Sequence, residues 1–245
     1  MNNSKLLPPQ EGSNVKLPVD VLFEDNHIII VNKKSGEIVQ GDKTGDEPLS
    51  ERVKKYIKEK YQKPGEVFLG TVHRIDRPVS GIVIFARTSK ALERLNEMFR
   101  NKQLKKTYWA VVKNKPAKPA DHLTAYLKKN EAKNKSFVQQ QPSQGALLSE
   151  LEYELLAASD KYFLLKINPI TGRHHQIRAM LAHIGSPIKG DLKYGFDRSN
   201  PDGSIHLHAR EVAFVHPVNK ENINIVCPPP EEPLWNFFKE KMEKE

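Results

Sequence analysis

Thr71 to Leu95 reads TVHRIDRPVSGIVIFARTSKALERL, and its three parts differ in physical character. His73, Arg74, Asp76 and Arg77 crowd onto a segment that Pro78, Ser80 and Gly81 mark as a turn. Ile82 to Ala86 is short, apolar and β-branched, the composition of a buried strand. Leu92, Leu95 and Phe99 then recur at helical spacing behind a cap at Thr88 or Ser89. A carboxylate is therefore presented on a charged loop at the mouth of a buried strand-to-helix unit.

Working outward, the period alternates between two and 3.6. Asp20 to Asn32 predicts a turn followed by a buried strand at Ile28 to Val31. Val53, Tyr56, Ile57 and Tyr61 mark an amphipathic helix for which Ser50 is available as N-cap. Thr107 to Val112 is aromatic and β-branched, hence a strand, and Asn114 to Ala120 carries two prolines and reads as a connection. Lys128 to Gln144 reads only as a basic polar stretch.

Leu151, Tyr153 and Leu155 alternate with glutamates, the pattern of a sheet with one wet face. Its expected partner is Tyr162 to Ile167, reached through a turn at Ser159 and Asp160. His174 to Ile184 predicts a helix stopped by Gly185 and Pro187. Ile205 to Val215 and Ile223 to Val226 are strands, and Leu234, Phe237, Phe238 and Met242 share one side of a closing helix expected to dock on the core. Strands and helices both occur, and the alternation favours antiparallel pairing.

The chain has 245 residues, 38% hydrophobic and 28% charged, as expected of a soluble globular protein. Residues 1–17 are expected to form a polar, disordered tail, and the length that follows suits either one large α+β domain or two small ones. No leader or membrane-spanning segment is evident, so a cytoplasmic location is expected. One cysteine, Cys227, excludes an internal disulfide framework and is read as a buried thiol. A formal charge of +9 favours polyanionic partners, and phosphate neutralisation by Lys and Arg is the main source of non-specific nucleic-acid affinity.

A carboxylate between guanidiniums stays ionised at neutral pH and suits a nucleophile better than an acid. The spacing does not identify the electrophile, and a salt-bridged loop aspartate has the same appearance. His174, His175 and His183 in one predicted helix, with His206 and His208 on one strand face, invite a metal site, but no HExxH spacing occurs. Structural histidines account for them better.

The segment HRIDRPVSG with its following strand and ARTSKALERL closely resembles the catalytic motif of RluA-like RNA pseudouridine synthases. Further segments match in order: NHIIIVNKKSG (Asn26 to Gly36), KKTYWAVV (Lys105 to Val112), PITGRHHQIRAMLAHIGSPIKGDLKYG (Pro169 to Gly195) and LHAREVAFVHP (Leu207 to Pro217). Departures are Lys34 where proline is usual, Val79 where threonine is common, and His174 where threonine often precedes the histidine.

The resemblance implies that residues 18–245 form one α+β catalytic domain, with a mixed, mainly antiparallel sheet, peripheral helices and a basic cleft, which isomerises a uridine of structured ribosomal or transfer RNA; because few residues precede the first motif, no appended N-terminal RNA-binding module is expected. It implies Asp76 as catalytic aspartate, Tyr108 as active-site tyrosine and Arg178 as the basic residue that pairs with Asp76. Arg74 would enter the RNA stack in place of the extruded base, and Leu207 would line the uracil pocket. No cofactor, metal, DNA or membrane partner is expected, and a monomer is. The rival readings are a catalytically silent RNA-binding protein and a metal-dependent hydrolase using the histidines.

Overall fold

The computed structural model describes residues 19–243; the tail expected at 1–17 lies outside the described residues. Strands β1 (Val21–Glu24) and β2 (Ile28–Lys33) pair antiparallel, so the segment read as turn then strand is a hairpin with its turn between them. Asp25 makes that turn by accepting the amides of His27 and Ile28 at 2.7 and 2.8 Å. Helix α1 (Leu49–Lys60) buries Leu49, Val53, Tyr56 and Ile57. The expected Ser50 cap is overturned: Pro48 occupies that position without a side-chain bond. The amides of Leu49 and Ser50 already donate to Ile38 and Val39 carbonyls, which removes the need for a capping side chain.

The short β3 (Gly70–Thr71) pairs with β4 (Ser80–Ala86), every residue of which is buried. Helix α2 (Ser89–Arg100) follows, and Thr88 Oγ1 accepts the Ala91 amide at 3.2 Å, as the sequence led us to expect. The remaining strands are β5 (Lys105–Val112), β6 (Ala120–Asn130), β7 (Lys135–Gln139), β8 (Ala146–Ala158) and β9 (Phe163–Pro169). After α3 (Gln176–His183) come β10 (Leu207–Val215), β11 (Asn222–Val226) and α4 (Pro233–Glu243).

Among the described residues all eleven strands join one sheet in the order β1-β2-β4-β10-β5-β9-β8-β6-β7, with β11 on β10 and β3 on β4. The one parallel pairing among them sets His208 and Ala209 of β10 beside Ser80 and Gly81 of β4; the rest are antiparallel. The mixed, mainly antiparallel sheet is thus observed. Trp109, Val111 and Leu164 are covered by Trp235 and Phe238, so α4 docks on the core. Cys227 is fully buried. No helix among the described residues is long and apolar enough to cross a membrane.

Two further sequence readings need correction. Lys128 to Gln144 is not featureless: it holds the β6–β7 hairpin, whose exposed lysines mask the inward alternation of Leu127, Ser136 and Val138. Helix α3 begins at Gln176, not His174. His175 sits in the left-handed region at φ 53°, and a residue there cannot continue a right-handed helix backward.

Candidate active site

The motif loop is fixed through its backbone. The amide of Val79 closes a turn onto the Asp76 carbonyl at 3.0 Å, Gly36 donates to the Arg77 carbonyl at 2.8 Å, and Ile205 donates to that of Pro78 at 3.0 Å. The fully buried ammonium of Lys33 donates to the carbonyls of Lys34, Glu37 and Arg77 at 2.9, 2.8 and 3.1 Å. Burial pushes its pKa down to about 8, with Glu37 and Asp76 pulling the other way. At Gly81, φ is +110° and an added Cβ would stand 2.4 Å from the Ala209 carbonyl oxygen. Only glycine lets β4 and β10 approach so closely here.

The guanidiniums beside Asp76 in sequence are not its partners. Arg77 turns away to the Gly36 carbonyl and to Asp46, and Arg74 is exposed. The charge that meets Asp76 comes from α3, where Arg178 Nη1 donates to Asp76 Oδ2 at 2.9 Å. The other side of that guanidinium is bidentate on Asp191, Nε to Oδ2 at 2.7 Å and Nη2 to Oδ1 at 2.9 Å. Burial opposes the Arg178 charge, but attraction and hydrogen bonds from Asp191 and Asp76 outweigh it and push its pKa above the ordinary value. Arg178 is thereby locked in one orientation.

His175 Nε2 lies 3.6 Å from the same Asp76 oxygen. Burial, reinforced by the Arg178 charge, holds this imidazole down at about 2, so it is neutral. Its Nδ1 is 3.0 Å from the Tyr194 hydroxyl, which also accepts the Ser136 amide at 2.8 Å. The Tyr194 ring lies under the Arg178 guanidinium, 5.1 Å away. Both contacts to the Asp76 carboxylate converge on Oδ2, and Oδ1 has no hydrogen-bond partner among the described residues. A carboxylate held by one oxygen and open at the other is suited to attack or to proton transfer.

Tyr108, half-buried on β5, stands opposite Ala209 of β10 and Ile167 of β9. Burial and then the charge of Asp76 push its phenol pKa up, so it stays protonated. The ring offers a plane for a planar base and the hydroxyl a donor. Leu207, opposite Ala110 and 4% exposed, belongs to the hydrophobic core; the β10 residue beside Tyr108 is Ala209.

The structure thus brings Asp76, Tyr108 and Arg178 together, leaves Arg74 exposed on the same loop and places Leu207 two residues along β10 from Ala209, on the same strand face. Asp191, Tyr194 and Ser136 were not singled out from sequence, and His175 was weighed only as a metal ligand or a structural histidine. Asp191 and Tyr194 are in GDLKYG, the end of a quoted motif, and a buried arginine's need for a second anion was the signal available. Among the described residues no three His, Cys, Asp or Glu side chains converge to hold a metal. The rings of His174 and His175 instead stack at 3.7 Å and bond to Ser136 and Tyr194.

A family model described as RNA pseudouridylate synthase matches residues 27–183. A protein of Buchnera aphidicola subsp. Baizongia pistaciae named ribosomal large subunit pseudouridine synthase C is 31% identical, over 93% of this chain and 76% of that protein. One of the same name from Vibrio parahaemolyticus is 35% identical over 85% of this chain, which spans only 65% of that protein's length. The solved structure of human RNA pseudouridylate synthase domain containing 4 superposes with a TM-score of 0.74 at 22% identity, covering 91% of this chain and 93% of that one.

Proposed function

The chain belongs to the RNA pseudouridylate synthase family, and from that premise we propose that it isomerises uridine to pseudouridine in large-subunit ribosomal RNA, with Asp76 as the reactive carboxylate. The observation that carries the reading is the single chain of contacts from Asp191 through Arg178 to Asp76, which holds the carboxylate by one oxygen beside Tyr108. The names of the similar proteins favour ribosomal over transfer RNA as substrate.

A uridine inside a stacked helix cannot present C1′ and C5 to a side chain, so the base is first extruded. The uracil lies against the Tyr108 ring, and Asp76 acts through the oxygen that Arg178 leaves open. The N1–C1′ bond breaks, the ring turns, and C5 bonds to C1′. The proton leaves C5 and N1 gains one, so atoms and electrons balance with no external oxidant or reductant. The neutral Tyr108 hydroxyl serves as a donor to the turning ring, and the proton from C5 falls to the carboxylate. Arg178 keeps Asp76 oriented throughout. The reading takes the protein to act as a monomer in the cytoplasm.

The test uses unmodified large-subunit ribosomal RNA transcribed with uridine tritiated at C5. Wild-type protein should release tritium to water and leave pseudouridine in the RNA, whereas Asp76→Asn should do neither while still binding. Turnover by Asp76→Asn at the wild-type rate would overturn the assignment.

A further inference from the structure

Lys106 is a lysine that the chemistry above does not use. It lies two residues before Tyr108 on β5, so both side chains leave the same face of the strand, about 7 Å apart along it. Its ammonium is 5.5 Å from the centre of the Phe99 ring and would be 4.0 Å from a side chain placed at Gly172, in the loop that leads to α3. It is half-buried, yet no carboxylate, hydroxyl or carbonyl of the described residues bonds to it.

A half-buried ammonium is usually drawn onto an anion or carbonyls, and although Glu211 lines the same cavity, it makes no ion pair with Lys106. Lys33 in the same protein shows the ordinary solution, with three carbonyls. Around Lys106 burial is the one influence on its pKa, and it acts downward. The neighbouring His73 offers no anion: it stacks on Phe99, accepts the Ile84 amide at 3.0 Å, and burial and then Lys106 hold it neutral at about 3. His73 also leads directly into the exposed Arg74, so this cation stands at the rim of the site.

From this geometry we infer that Lys106 is a substrate-binding residue whose ammonium receives a phosphate oxygen of the RNA at the extruded nucleotide. The inference rests on the proposed function and names a contact within it. A base laid on Tyr108 carries its own phosphate at a reach comparable to the spacing of the two side chains. A compact ammonium with three donors and no acceptor suits a phosphate oxygen. Phe99 supports the cation from one side, and the Gly172 position leaves the other open.

The test compares wild type, Lys106→Met, Lys106→Gln and Lys106→Arg on unmodified large-subunit ribosomal RNA transcribed in vitro. Lys106→Met should raise KM about tenfold with a far smaller fall in kcat, and should lower the slope of log affinity against log salt by about 1. Lys106→Arg should restore most of the affinity and the slope. An unchanged salt slope in both neutral variants overturns the inference, as does a loss confined to kcat. Thermal melting checks folding, and if Lys106→Met melts early, Lys106→Gln carries the comparison. The binding slope needs no turnover, so wild-type protein that binds RNA without forming pseudouridine would refute the proposed function and still decide the role of Lys106.

Discussion

Replacing Asp191 with asparagine tests whether a residue remote from the reacting atoms sets the geometry of the site. Asp191 is 1% exposed and Arg178 5%, and two hydrogen bonds of 2.7 and 2.9 Å join them. Asparagine keeps one acceptor but turns an NH2 toward a guanidinium N–H, and it removes one of the two anions that neutralise Arg178. Breaking a buried pair by removing one partner costs about 3–5 kcal/mol, and the retained hydrogen bond and Asp76 put this variant near the lower end, about 3 kcal/mol. For a protein of this size each kcal/mol moves Tm by about 2–4 °C, so a fall of about 6–12 °C is expected by calorimetry. Arg178 would also hold Asp76 less well, and a loss of about 1–2 kcal/mol there lowers kcat roughly five- to thirtyfold in single-turnover pseudouridine formation. RNA affinity should barely move. A Tm within about 2 °C of wild type together with unchanged kcat would refute the reasoning.

Three further outcomes follow from other parts of the structure. The folded pKa of Lys33, about 8, lies below the ordinary 10.5, so between those values the unfolded chain binds more protons and stability rises with pH. Denaturant titrations should show wild type gaining up to about 3 kcal/mol on Lys33→Met from pH 8 to 10.5, and no relative gain would contradict the buried charged state. Gly81→Ala combines a left-handed φ with a Cβ 2.4 Å from backbone, so soluble expression or Tm should collapse; a fully active, stable variant would mean that β4 and β10 are not so close. Arg74→Ala should lower kcat/KM on folded RNA by about thirtyfold, near 2 kcal/mol, and much less on a flexible fragment carrying the same uridine. An equal loss on both would place Arg74 in the chemistry or in folding.

What could be read from the sequence was what depends on local pattern. The buried run Ile82 to Ala86 and the Thr88 cap are specified by a few adjacent residues, and both are observed. Hairpin β6–β7 was missed because Lys128, Lys129, Lys133 and Lys135 obscure the buried alternation of Leu127, Ser136 and Val138. Ser50 failed as a cap because the capping bonds come from Ile38 and Val39, a tertiary contact with no local signature. In the site, resemblance pointed to Asp76, Tyr108 and Arg178, which lie together in the structure, and the physical expectation that Arg74 and Arg77 would hold the carboxylate was wrong. The guanidinium that reaches Asp76 is 102 residues away, and adjacent side chains on an extended loop diverge. His175 escaped notice as part of the site because its left-handed backbone, which aims the ring at Asp76, ends the helical pattern the sequence led us to expect.

The central claim, that Asp76 converts a uridine of ribosomal RNA, is tested most directly by mapping pseudouridine across large-subunit RNA from cells that lack this gene. The account predicts that at least one position reads as uridine in those cells, returns to pseudouridine when the wild-type gene is restored, and stays uridine when Asp76→Asn is expressed at the same level. An unchanged map in the deleted cells, or full restoration by Asp76→Asn, would contradict it.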